Sequence, residues 1–186
     1  FAVTTVLIGK LGATALAGHQ IALQTVSMTY MMPLGISSAA AVRVGHAIGR
    51  GDRAGMARAG WTALGLGAAV MSCAAVVLLV FPFWIARLFT PEADVIAAGM
   101  TLLRIAAFFQ LFDGLQVVAT GALRGAGDTR TPMLCHFTGY WVIGLPVGWW
   151  LCFNGMGAPG LWIGLSVGLV IIGVVLVEVW RRKVRQ

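Results

Sequence analysis

The 186-residue sequence is 59% hydrophobic and 10% charged, with a mean hydropathy of +0.90 and a formal charge of +7. Soluble domains carry about 25% charged residues, so the chain reads as an all-α integral membrane protein. The basic excess does not make it a nucleic-acid binder, because its charges fall between apolar runs rather than on one basic face. Cys73, Cys135 and Cys152 sit inside apolar stretches. They lack metal-ligand spacing and a disulfide framework, and read as small buried hydrophobes.

In chain order, the opening run Phe1–Gly9 has no basic n-region or cleavage site and does not read as a signal peptide. It is also too short to cross a bilayer. The expectation is a partial span, the second half of a helix that begins upstream, so that the chain is a fragment of a longer protein. A short polar turn, Lys10–Thr14, predicts an antiparallel neighbour. That second span covers about 15–42 and carries Pro33, where a kink is expected. Gln20, Gln24, Ser27 and Met31 step along one face of it. Such a stripe either glues helices together by hydrogen bonds or lines a cavity, and both readings stay open here.

The stretch Arg43–Gly60 is rich in Arg and Gly and reads as an aqueous loop, with His46 solvated in it. Further spans follow at about 61–85, 95–123, 133–153 and 160–180, giving one partial and five full crossings. Ten of the 13 Lys and Arg fall after the second and fourth of these spans and in the tail. Lys10 and Arg87 are the only two on the opposite side. By the positive-inside rule the ten-residue side, with the C-terminus, faces the cytoplasm.

The fourth span carries Asp113 near its middle. A charge at the bilayer centre costs ~2.5–3.5 kcal/mol or more, so an intramembrane carboxylate is a functional candidate by default. Gln110 and Gln116 lie one turn to either side and Thr120 two turns on, forming a polar lane. Asp113 is the leading candidate for a cation-binding or proton-carrying group; the bland alternative is a carboxylate satisfied by neighbouring helices. Arg104, nine residues earlier, falls on roughly the opposite face and is expected to reach outward rather than pair with it.

Other motifs read as packing. Gly164-Leu165-Ser166-Val167-Gly168 matches a hydrolase nucleophile elbow, but that motif needs a strand–turn–helix context. With Gly160 it forms a small-residue ridge suited to close helix contact, as do Gly144 and Gly148. His19 and His136 lack helical ligand spacing, and are read as structural or substrate-lining groups rather than zinc ligands. No enzymatic activity is expected.

Three stretches, Leu11–Asp52, Phe108–Met133 and Gly139–Leu151, together resemble the C-terminal lobe of the bacterial multidrug and toxic compound extrusion (MATE) family. The resemblance runs from the family's seventh helix to its twelfth. It implies half of a two-lobed, twelve-helix secondary transporter in the bacterial inner membrane, which exports organic cations and other drugs in exchange for Na⁺ or H⁺. No cofactor beyond that coupling ion is implied. Asp113 falls on the family's coupling aspartate, and is the only position implied for a bound Na⁺. Gln20 and Tyr30 fall on cavity-lining positions, where Tyr30 offers a cation–π face. Gln24, Gln110 and Gln116 are assigned to the substrate cavity from the polar stripes. Glu92 is carried over as a substrate-attracting carboxylate near the outer mouth.

The partners implied are membrane lipid, small organic cations and the N-terminal lobe of the same polypeptide, which lies outside this chain. A seventh-helix glutamate of sodium-coupled members also falls upstream of Phe1. The fragment alone is therefore expected not to transport, since alternating access moves one repeat against another. Two other readings are a flippase of lipid-linked precursors and a structural membrane subunit that does not transport.

Overall fold

A computed structural model describes residues 2–185, so Phe1 of the expected partial span lies outside the described residues. The chain forms α1 (Ala2–Gly9), α2 (Ala13–Gly49), α3 (Arg53–Val80), α4 (Pro82–Phe89), α5 (Ala93–Gly125), α6 (Arg130–Phe137), α7 (Leu145–Leu151) and α8 (Gly157–Arg185). A wider π-helical run at Thr138–Gly144 precedes α7, and a turn at Cys152–Met156, non-helical at Asn154 and Gly155, follows it. Six rods result: α1, α2, α3 with α4, α5, the α6–α7 run, and α8. The all-α expectation holds.

Several boundaries differ from the sequence reading. The expected aqueous loop Arg43–Gly60 is mostly helix, because α2 continues to Gly49 and α3 restarts at Arg53. Hydropathy marks where apolar character ends, whereas a helix continues until its backbone groups find other partners. Here Gly51 takes φ +69°, and Asp52 Oδ1 accepts the Gly55 N–H at 2.7 Å to cap α3. The span expected over 61–85 breaks at Phe81, because Pro82 has no N–H and instead opens α4. The turn expected over 154–159 is confined to Asn154–Gly157, with Gly155 and Gly157 at positive φ. α2 runs through Pro33 as one helix.

Among the described residues, three helical segments are long and apolar enough to cross a membrane: Arg53–Val80, Ala93–Gly125, and Arg130–Arg185, which folds back at Asn154–Gly155. The polar stripe of α2 lowers its hydropathy.

α5 is the central rod. It packs against α2, α3, α4 and α8, and buried residues occur on it from Val95 to Leu123. Two apolar clusters are stacked along it. One joins α1, the first half of α2, α4 and the first half of α8 around Leu103, Phe109 and Trp162. The other joins the second halves of α2 and α8 to the start of α3, around Val118, Leu123 and Trp180. Asp113 lies between Phe109 and Val118, at the level where one cluster gives way to the other.

Small residues set the closest approach. A Cβ on Gly160 would lie 2.8 Å from the Cys152 amide nitrogen, and one on Gly164 would overlap the Gly148 backbone. The glycine ridge of α8 is therefore a packing surface against α7, as its spacing predicted. Ser166 Oγ donates to the Trp162 carbonyl one turn back at 2.7 Å, inside the continuous helix α8 rather than at a strand–turn–helix elbow.

Candidate functional site

Asp113 is the one buried carboxylate among the described residues, at 5% exposure, with Gln116 at 2% beside it. A carboxylate only accepts hydrogen bonds, and Gln116 supplies a donor: its Nε2 lies 2.9 Å from Asp113 Oδ1. The same amide nitrogen donates to Tyr140 Oη at 3.0 Å. One amide therefore ties the carboxylate on α5 to the phenol on the π-helical turn. Among the described residues Gln116 Oε1 has no donor, and Tyr140, accepting from Gln116, keeps its own proton for another acceptor.

This triad opens onto a cavity of about 600 Å³. Tyr30, Ser27 and Met31 of α2 form one wall, Phe109, Asp113 and Gln116 of α5 the floor, and His136, Tyr140 and Trp141 a second wall, closed by Leu165 and Leu169 of α8. The volume suits a small organic molecule, and aromatic faces around one acidic group suit a cation. No Lys or Arg lines it. His136 Nδ1 donates to the Pro132 carbonyl at 2.6 Å, which fixes the ring against the start of α6.

The π-helical run has a sequence cause. Pro146 lacks an N–H, so the Val142 carbonyl loses its α-helical donor, and just before it the Leu145 N–H reaches back to the Tyr140 carbonyl in the wider pattern. The wider geometry over 138–144 sets the position of Tyr140. Gly139 and Gly144 let this run approach α8, where a Cβ on Gly144 would lie 3.4 Å from the Gly164 carbonyl.

The residues proposed from sequence separate into two groups. Tyr30, Asp113 and Gln116 come together at the cavity. Gln20, Gln24, Gln110 and Glu92 do not line it. Gln20 and Gln24 are exposed, on the extension of the α2 stripe beyond Ser27. Gln110 turns instead toward α2, donating to Thr29 Oγ1, and its Oε1 is a second buried acceptor without a donor. Glu92 is exposed at the N-terminal end of α5, 21 residues and about 31 Å of helix from Asp113. Thr120 stays on the Gln116 face of α5, where its hydroxyl donates to the Gln116 carbonyl at 2.7 Å.

His19 is not a cavity group. It is fully buried, 2.9 Å from Thr5 Oγ1, and accepts from Trp162 Nε1 at 3.1 Å, joining α1, α2 and α8. Arg104 is exposed, as its face predicted. Tyr140 is the cavity residue that the sequence did not single out: its polar aromatic character inside an apolar run is the one available signal, and its link to Gln116 depends on the π-helical turn.

An all-α lobe of long apolar helices with an acidic cavity between them defines a class, a helical unit of a multi-pass membrane protein. The MatE family model matches residues 1–150, and the chain belongs to that family. The multidrug resistance protein NorM of Burkholderia vietnamiensis is 49% identical over 187 residues, covering 97% of this chain and 40% of the relative. A probable NorM of Deinococcus radiodurans is 47% identical, covering 95% and 41%. The chain thus spans about 40% of the length of the curated relatives it matches. Among solved structures, a MATE transporter, ClbM, in complex with Rb⁺ superposes with a TM-score of 0.89 at 21% identity, covering 99% of this chain and 44% of that one. The eukaryotic MATE transporter AtDTX14 gives a TM-score of 0.85 at 24% identity, covering 92% and 40%.

Proposed function

We propose that this chain is the C-terminal lobe of a bacterial inner-membrane antiporter that exports cationic drugs in exchange for Na⁺ or H⁺. The observation that carries the reading is the position of Asp113, a buried carboxylate at the base of an aromatic cavity free of Lys and Arg. Proteins of the family are transporters rather than enzymes, and the NorM relatives carry multidrug resistance in their names. The wider chemistry then follows from charge. Ionised Asp113 attracts either an organic cation or the coupling ion, and whichever binds relieves the cost of a charge at that depth.

Coupling arises because the two occupants favour different lobe shapes, so that each shifts the population away from the other's state. Gln116 holds Asp113 in the orientation that faces the cavity. Its free Oε1 is a hard oxygen ligand of the kind Na⁺ accepts, and Tyr30 and Tyr140 supply faces and hydroxyls for a drug. Gln20 and Gln24 extend the lining where the N-terminal lobe completes the cavity, Gln110 braces α5 against α2, and Glu92 attracts cations at the outer rim. The C-terminal tail and the arginine-rich α2–α3 junction at 43–58 face the cytoplasm.

The test is cation-driven drug efflux by the full-length polypeptide with Asp113→Asn. Loss of the dependence on the ion gradient is expected, and undiminished coupled efflux would sink the assignment. A flippase of lipid-linked precursors is disfavoured because its anionic cargo calls for a basic cavity. A structural subunit would show no effect of Asp113→Asn at normal expression.

A further inference from the structure

A second cavity, of about 660 Å³, lies between the C-terminal half of α2 and the N-terminal half of α3. Its end nearest the 50–52 turn carries Arg43, Arg50 and Arg58. All three are exposed, and among the described residues none joins an ion pair. Asp52 faces the same cleft, but its Oδ1 already accepts the Gly55 N–H at 2.7 Å. Three Arg against one Asp leave the mouth with a charge of +2. Arg43 and Arg50 are two turns apart, so they stand above one another on one face of α2.

Away from the turn the lining changes character. Ile36, Ala39, Ala63 and Leu66 continue the cleft, with Thr62 as the one hydroxyl. Ile36 lies seven residues before Arg43, about 10 Å deeper along the helix. The alanines matter because larger side chains would fill the space between α2 and α3. The result is an amphiphilic slot, cationic at one end and apolar along its depth.

Membrane geometry orients the slot. Basic residues flank the apolar band of spanning helices, so the arginine end stands at head-group level and the alanine channel runs toward the acyl chains. Arginine offers a planar fork that binds phosphate oxygens two at a time, and basic pockets between membrane helices capture anionic head groups. A free anion would need only the arginines and would leave the apolar channel unused. We propose that this cleft binds one anionic phospholipid of the surrounding bilayer, its phosphate among Arg43, Arg50 and Arg58 and one acyl chain along Ala39, Ala63 and Leu66. The site is separate from the Asp113 cavity and does not depend on the transport reading.

The test uses the full-length polypeptide and native mass spectrometry, with phosphatidylglycerol and phosphatidylcholine added at equal concentration. The wild-type protein retains one phosphatidylglycerol with a preference of about tenfold. The triple variant R43Q/R50Q/R58Q brings that preference close to parity. R181Q/R182Q, whose arginines already pair with Glu178, keeps it. Ala39→Trp leaves the charges in place but fills the channel, and also lowers retention. A photo-crosslinking residue at position 66 forms a lipid adduct. Equal preference in wild type and triple variant would overturn the site. So would an equal loss in R181Q/R182Q, or a crosslink made only to another part of the polypeptide.

Discussion

The two cavities are nearly equal in volume, about 600 and 660 Å³, and opposite in chemistry. The first holds one buried carboxylate among aromatic walls contributed by several rods. The second holds three exposed arginines over an alanine floor between two adjacent helices. α2 serves both: Tyr30 faces the first, and Ile36 and Arg43 face the second. At 100° per residue Ile36 and Arg43 fall about 120–140° around the helix from Tyr30, with Pro33 between them in sequence. Charge sign and depth therefore separate the roles. A single deep acid can exchange one cation for another, whereas shallow arginines can only hold an anion at the surface.

The largest expected effect breaks the comparison at its acidic side. Asp113→Asn in the full-length protein removes the charge and keeps the shape. It is expected to abolish the response of drug efflux to the ion gradient, a coupling of roughly 5–150-fold by typical magnitudes. Efflux that still follows the gradient would reduce Asp113 to a satisfied structural carboxylate. The next effect tests the α7–α8 contact beside this cavity. Gly164→Leu places a side chain in the Gly148 backbone, and overpacking costs about 1–3 kcal/mol. Thermal unfolding in detergent should show a clear loss, while Val167→Leu, on the exposed side of α8, should not.

Gln116→Leu comes third. It strips the shared donor from Asp113 and Tyr140 while keeping the volume close. Leaving a buried acceptor without its partner costs about 1–3 kcal/mol, more where the acceptor is charged. Both a lower unfolding temperature and weaker ion dependence of efflux are expected, with Tyr140→Phe milder on each measure. If Gln116→Leu lowered stability and left the ion dependence intact, the amide would be helix glue alone.

Much of this was readable from residues. Apolar runs located the rods, the one deep carboxylate marked the acidic site, and regular glycine spacing marked the α7–α8 contact. What was not legible had a common physical cause. Gln110 and Gln116 have equivalent sequence signals, one turn either side of Asp113, yet one faces Thr29 and the other faces Tyr140. That choice is made by the rotation of α5 against its neighbours. Tyr140 joined the site through a π-helical turn, which no periodicity announces. The arginine cleft was hidden because Arg43–Gly60 looked like a loop, whereas continued helix puts its arginines in register with Ile36 and Leu66.

The smallest effect lies outside both cavities. Asp128, just after α5, accepts from the Thr131 N–H at 3.0 Å and the Thr131 hydroxyl at 2.9 Å, and Lys183 Nζ of α8 stands 3.8 Å away. Burial alone would push its carboxyl upward, but these donors outweigh it and hold the group below the usual carboxylate range. A depressed folded-state value means that the ionised form adds stability above the unfolded value of about 3.9. That contribution is complete at neutral pH and disappears as pH falls through the folded value. Asp128→Asn should therefore lower stability at pH 7 by about 0.5–1 kcal/mol, the size of one cap or one partly exposed ion pair. Unfolding curves of variant and wild type should converge in acid. A gap that stayed constant with pH would show that packing, not charge, gives Asp128 its role. Because the residue touches neither cavity, ion-coupled efflux and lipid retention should not move with it.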